Sequence, residues 1–335
     1  MTSAEESGAE RAGAAADTPT VYPEWFRKRK VRSGLIVNRW VPFSMIALPV
    51  AVLVLIVVYP TIWMAYHAFQ DTTMVSLATG RYNAVGWANF AEVLTSPRFH
   101  DSVLRFGKYL LFGACLEVLL GAALALILYE TVKSNALRVV LLILMVLPLM
   151  LPPSIVGVIF RFLFNPSNGM INNALLNLGL IETHIEWFSV DLSLWTIIIA
   201  DVWEWTSLPL LIIYSGRVSL PQSVYEAARV DGASAWLVLR RITLPMLKEL
   251  IAIAFIIRFM DAYKFVDKIY VMTSGGPAQS SELPVFIAYQ RGIREFQIGE
   301  AAAYAWIIFI VAAVLVTLFL KYMKKVLKAQ SLAVT

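Results

Sequence analysis

Three stretches of this 335-residue chain, 41–69, 139–160 and 301–320, contain no Asp, Glu, Lys or Arg. Each is near or above the roughly 20 residues that cross a bilayer as a helix, and nothing else in the sequence constrains the fold so strongly. Hydrocarbon offers no water to the peptide groups, so such runs take the form of helices that close their own hydrogen bonds. Three further runs, about 105–129, 192–216 and 250–272, are apolar with a few charges inside. The chain is 59% hydrophobic and 15% charged, whereas soluble domains carry about 45–50% apolar residues. An all-α integral membrane protein with six transmembrane helices is expected.

The 28 Lys and Arg residues set its orientation. With the N-terminus inside, eighteen fall in cytoplasmic segments and seven outside, while Arg258, Lys264 and Lys268 lie in the fifth run. Basic residues accumulate on the cytoplasmic side of short loops, so both termini are expected inside, in a multi-pass protein of the cytoplasmic membrane. The net charge of +5 follows from this asymmetry. RKRKVR at 27–32 therefore reads as an anchor for anionic membrane lipid rather than a nucleic-acid site. Residues 1–39 form a basic tail whose first twenty positions lack the apolar core of a signal peptide and read as disordered. Residues 326–335 are expected as a cytoplasmic C-terminal tail. The single cysteine, Cys115, excludes a disulfide within the chain.

Between the runs, residues 70–104 are long enough to fold over part of the outer surface. The loop at 165–191 has Asn-Pro and Asn-Gly turn signals followed by an amphipathic stretch at 170–180, expected as a short interfacial helix. Pro148, Pro152 and Pro153 interrupt the third run, so the helix is expected to kink or unwind there, either beside a moving path or packed by neighbours.

Residues 225–247, YEAARVDGASAWLVLRRITLPML, are charged and alanine-rich between two apolar runs. Ser223 and Glu226 have the spacing of a capping box, which predicts a helix over 224–231. Gly232 suits the left-handed turn that ends it, and Ser234 caps a second helix over 235–243 whose apolar residues, Trp236 and Leu237 among them, are expected to face the bundle.

Glu226-Ala227-Ala228, three residues, Gly232, nine residues, then Ile242-x-Leu244-Pro245 resembles the EAA signature of the membrane subunits of binding-protein-dependent ABC importers. IRFMDAYKFVDKIYVMTSGGPAQSSE (257–282), 146–172 and 201–212 are similar to carbohydrate permeases of the maltose and glycerol-3-phosphate type. The resemblance covers about 40–325, the transmembrane domain, with 217–247 as a cytoplasmic helix-turn-helix coupling loop between helices four and five. It implies that Tyr225, Glu226, Ala227, Ala228, Asp231 and Gly232 meet a cytoplasmic ATPase. It further implies a second homologous permease subunit, two ATPase subunits that carry ATP and Mg, and an extracytoplasmic solute-binding protein.

Charges within spans are costly and normally face a bundle interior or a wet cavity. Glu117, Asp201, Glu204, Trp205, Arg258, Asp261 and Tyr263 are the candidates for a substrate path, since carboxylates accept hydroxyl hydrogen bonds and aromatic faces pack on sugar rings. Arg258 neutralising Glu117 or Glu204 as a packing pair is the competing reading. Lys264, Asp267 and Lys268 are expected to pair locally along their helix. The chain has no GxxxxGK[ST] phosphate loop, no HExxH and no CxxC, and its three histidines are scattered. It binds no cofactor or metal on this reading and is not itself an enzyme. A sugar or sugar derivative is the expected solute; a secondary transporter or channel, and a polytopic membrane enzyme, are the alternatives.

Overall fold

A computed structural model describes residues 40–331. The tail at 1–39, with its basic anchor, and residues 332–335 lie outside the described residues. The chain divides at Pro60 into two compact units.

The first unit contains α1 (Trp40–Leu53) and a wide helical turn at Val54–Val58. Phe43, Met45 and Leu48 are exposed along it, as expected of a helix meant for an apolar solvent.

The second unit begins inside α2 (Tyr59–His67). There follow α3 (Met74–Thr79), α4 (Ala88–Thr95), α5 (Pro97–Tyr109), α6 (Cys115–Thr131), α7 (Asn135–Val146), α8 (Pro153–Leu163), α9 (Met170–Asn177), α10 (Ser193–Trp205) and α11 (Ser207–Ser219). Residues 222–238 give α12 (Gln222–Val230) and α13 (Ala235–Val238), followed by α14 (Leu244–Ala262), α15 (Asp267–Met272), α16 (Pro284–Tyr289) and α17 (Ile298–Ser331). Among the described residues there is no β-strand, only isolated bridges such as Gln70 with Ala84.

Among the described residues, four helical stretches are long and apolar enough to cross a membrane: Met45–His67, Pro97–Thr131, Ser193–Ser219 and Ile298–Lys321. The third expected span breaks at its prolines, as expected, and does so sharply: Asn135–Met150 and Pro153–Leu163 meet at 97°. Pro148, Pro152 and Pro153 each lack the amide that would continue the ladder. Ser207 compensates in part, its Oγ donating to the carbonyl of Met145 at 2.6 Å. The fifth expected run also breaks, because α14 stops at Ala262 and α15 restarts at Asp267. Lys248, Glu249, Arg258 and Asp261 further lower its apolar character, so length and composition alone do not single it out as a span.

Helix α6 packs along α11. A Cβ on Gly121 would lie 2.7 Å from Pro209 Cβ, 2.8 Å from Leu210 N and 2.9 Å from Thr206 O, so only glycine admits this approach. Beside it Ala125, Leu210, Ile213 and Leu247 form a buried apolar cluster. A larger cluster around Tyr109, Phe160, Ile197, Ile269 and Phe286 joins α5, α8, α10, α15 and α16.

The loops are fixed by their own polar contacts. Asp71 accepts from the Asn83 backbone amide at 2.6 Å and its side-chain amide at 3.1 Å, bonds that hold its carboxyl below the ordinary carboxylate range. The helix expected at 170–180 ends at Asn177, and Asn172 inside it is buried. Its side-chain oxygen accepts from Trp187 Nε1 at 2.9 Å, so that indole has a structural partner as well as an apolar one in Phe164.

Gly121→Ala should destabilise the fold by about 1–3 kcal/mol through overpacking at the α6–α11 contact. Gly107→Ala, where a Cβ meets nothing within 4 Å, should be neutral or slightly stabilising. Melting temperatures of the detergent-solubilised proteins separate the two; equal midpoints would remove the close-approach argument.

Candidate functional site

Five charged side chains are sealed inside the bundle: Glu117, Asp201, Glu204, Arg258 and Lys268 are each no more than 1% exposed. They come from α6, α10, α14 and α15. Arg258 Nε and Nη2 hold both oxygens of Glu117, the second at 3.0 Å. Nη2 also reaches Asp201 Oδ2 at 2.9 Å, and Nη1 reaches Asp261 Oδ2 at 3.2 Å. Lys268 Nζ pairs with Asp201 Oδ1 and with Glu204 Oε2. Tyr109 donates its hydroxyl to Asp201 Oδ2 at 2.5 Å. The indole of Trp205 lies against the guanidinium, with its ring centroid 4.4 Å from Arg258 Cζ.

Isolated buried ions are prohibitively costly in hydrocarbon, so each charge must meet its opposite here. The pairing is closed but not balanced: three carboxylates face two cations within the sealed set. Asp261, whose side chain is 32% exposed, sits at the edge and also meets Lys264 at 3.7 Å. Trp205 is half-buried as well. Asp261 and Trp205 thus form the accessible rim of the cluster, whereas Asp201 and Glu204 are each held by Lys268.

The structure thus gathers six of the seven path candidates, Glu117, Asp201, Glu204, Trp205, Arg258 and Asp261, around one centre. Arg258 pairs with Glu117 and Asp201, not with Glu204. Tyr263 is set apart: its ring packs on Phe106 at 4.8 Å and Phe259 at 5.4 Å, on the wall of an apolar cavity of about 630 Å³. Two members were not singled out from sequence. Tyr109 lies eight residues before Glu117, a spacing that keeps both on one helical face. Lys268 does not pair locally with Asp267; the break after Ala262 turns it toward α10 instead.

At the other functional segment, α12 begins at Gln222 behind Pro221, so Ser223 lies inside the first turn and caps nothing. Proline at the N-cap fixes the chain entry, and the helix starts two residues earlier than the capping box implied. Gly232 takes φ +72°, and Ser234 Oγ accepts from Leu237 N at 3.3 Å, as the turn-and-cap reading requires. The second helix runs from Ala235 to Val238 and passes through a wide turn at Leu239–Thr243 into α14. Its apolar residues do not all face the bundle: Trp236 is 68% exposed, and Val230 before it 87%. Nor do all candidate interface residues face outward. Glu226, Ala227, Asp231 and Gly232 are exposed, whereas Tyr225 and Ala228, three residues apart on the other face, are buried.

Residues 117–329, which hold the buried charges and the exposed helix-turn-helix, match the family described as binding-protein-dependent transport system inner membrane component. The chain belongs to this family. It is a transporter permease component and not an enzyme, as are the proteins it is similar to. It is 34% identical over 257 residues to the trehalose/maltose transport system permease protein MalF of Thermococcus litoralis, covering 75% of this chain and 82% of that one. It is 31% identical over 282 residues to a probable ABC transporter permease protein of Sinorhizobium fredii, covering 84% and 87%. In fold it is similar to a chain of a bacterial ABC transporter involved in the import of the acidic polysaccharide alginate, with a TM-score of 0.76 at 20% identity over 87% of this chain and 97% of that one.

Lys268→Met in this permease should lower stability by about 3–5 kcal/mol, because Asp201 and Glu204 lose a buried cation together. Adding Glu204→Gln should recover part of the loss. A melting temperature unchanged by the single substitution would mean that water already reaches the cluster.

Proposed function

We propose that this permease passes a sugar or sugar derivative across the cytoplasmic membrane by alternating access, in a complex with a second homologous permease subunit and two ATPase subunits that bind ATP and Mg. An extracytoplasmic solute-binding protein delivers the solute. The chain crosses the membrane six times with both termini inside, the bent pair α7–α8 and the broken pair α14–α15 each counting as one crossing. The observation that carries this reading is the seven-position signature folded as a helix-turn-helix, with Glu226, Ala227, Val230 and Trp236 left to solvent. A monomer gains nothing by exposing both Val230 and Trp236, and a cytoplasmic partner would cover them.

Within this complex α12 is the coupling helix. ATP-driven closure of the ATPase pair displaces it, and the displacement reaches α11 through Pro221 and α14 through Pro245. The trehalose/maltose assignment of MalF supports the sugar class. The solute path runs along the accessible rim at Trp205 and Asp261, while Glu117, Asp201, Glu204 and Arg258 hold the helices that form it. An indole face and a carboxylate together suit a polyhydroxylated ring.

Glu226→Lys or Gly232→Asp should leave the chain in the membrane yet detach the ATPase subunits, read by co-purification; full retention of the ATPase by both variants would sink the coupling assignment. Trp205→Ala should weaken uptake of radiolabelled trehalose or maltose by proteoliposomes through KM, and Trp205→Phe, which keeps an aromatic face, should weaken it less. Unaltered KM in a variant that transports either sugar would move the path away from this rim.

A further inference from the structure

The joint behind α12 is built around an arginine that no signature position includes. Arg217 occupies the last turn of α11 and is 2% exposed. Its guanidinium carbon lies 4.1 Å from the ring centroid of Tyr129, at the end of α6, and 4.1 Å from that of Tyr225 in α12. The cation is therefore clasped between two aromatic faces on two different helices. Its Nε and Nη2 donate to Glu130 Oε1 at 2.9 and 2.6 Å, which fixes the plane of the guanidinium. Two further bonds tie the same parts. Gln222 Nε2 donates to the Tyr129 hydroxyl at 2.7 Å, and the Tyr225 hydroxyl donates to Thr243 Oγ1 at 3.2 Å, just ahead of α14. Arg138 lies by the Tyr129 ring too, 5.2 Å from its centroid, and donates to the carbonyls of Tyr129 and Val132 at 3.2 and 2.6 Å.

A helix joined to its neighbours only by short loops can swivel without moving them. What transmits a push is a contact stiff in the direction of the push. A planar cation between two rings resists compression on both faces, and its hydrogen bonds to a carboxylate oppose rotation in its plane; a lysine ammonium supplies neither the plane nor the fork. Force entering α12 at Tyr225 thus meets α11 at Arg217 and α6 at Tyr129 and Glu130, and α6 carries Glu117 of the buried cluster.

We propose that Arg217 is the positioning residue that makes α12, α11 and the end of α6 move as one body, so that displacement of α12 becomes displacement of the spans. This rests on the reading of α12 as the helix an ATPase seats, and it adds a route to α6 that the chain connections at Pro221 and Pro245 do not provide.

The test uses the assembled complex with its ATPase subunits, in a Cys115→Ala background, with spin labels on cysteines placed at Ser223 in α12 and Thr131 at the end of α6. Both positions are exposed. Label distances are measured without nucleotide and after trapping with ATP and vanadate. In the otherwise unaltered complex the Ser223–Thr131 distance should stay the same in both states. In Arg217→Lys, and independently in Tyr129→Leu, trapping should produce a second distance population, with ATP turnover retained. A single unchanged distance in both Arg217→Lys and Tyr129→Leu overturns the proposal, and so does loss of the ATPase from Arg217→Lys, which would assign the joint to docking. Failure of the unaltered chain to retain the ATPase instead brings down the docking reading, and this proposal with it.

Discussion

Asp201 has one oxygen held by Lys268 and the other by Arg258 and Tyr109. The two cations stand on opposite sides of the break at residues 263–266, where the backbone offers no helical continuity between α14 and α15. A shared anion therefore does what the peptide ladder does elsewhere: it keeps the two pieces in register with each other and with α10. Glu117 extends the same constraint to α6. In water such pairs would exchange with solvent and contribute little, but sealed from it they admit few alternative partners. The aromatic packing around them, Phe265 on Tyr109 at 4.7 Å and Trp205 on Arg258, follows from this fixed geometry.

The segment around α12 obeys a different logic. One face is committed inward through Tyr225 and Ala228, and the other is left apolar and open at Val230. Its attachments combine ring, cation and hydroxyl contacts, with Glu130 half in solvent, whereas the charges at the bundle centre are all enclosed. The chain thus places its least yielding contacts at the centre of the spans. Those around α12 border solvent on one side.

What the sequence made legible was whatever depends on neighbours along the chain. The uncharged run at 41–69 corresponds to the helical stretch Met45–His67, and 301–320 falls within α17. The positive φ of Gly232 and the cap at Ser234 were readable for the same reason, because each is decided within a few residues. Less legible was everything decided across the fold. The charges of the fifth run were visible, but not that Lys268 would reach past Asp267 to another helix. Tyr109 gave no signal beyond its spacing from Glu117, since a tyrosine in an apolar run reads as packing. Ser223 and Glu226 satisfied a local rule that Pro221 overrode. The prolines of the third run announced an interruption, yet a bend of 97° depends on what the neighbouring helices supply.

That bend has a further consequence. Turning the backbone through nearly a right angle strands carbonyl groups that a straight helix would satisfy, and hydrocarbon cannot hydrate them. The hydroxyl of Ser207, at the start of α11, answers for one of them at Met145. The corner is therefore tethered to the same helix that carries Arg217 about 15 Å further along, by the rise of about 1.5 Å per residue. A displacement of α11 along its own axis would draw on the corner's hydrogen bonding directly, which makes the corner a strain gauge for the cycle as well as a turn in the chain.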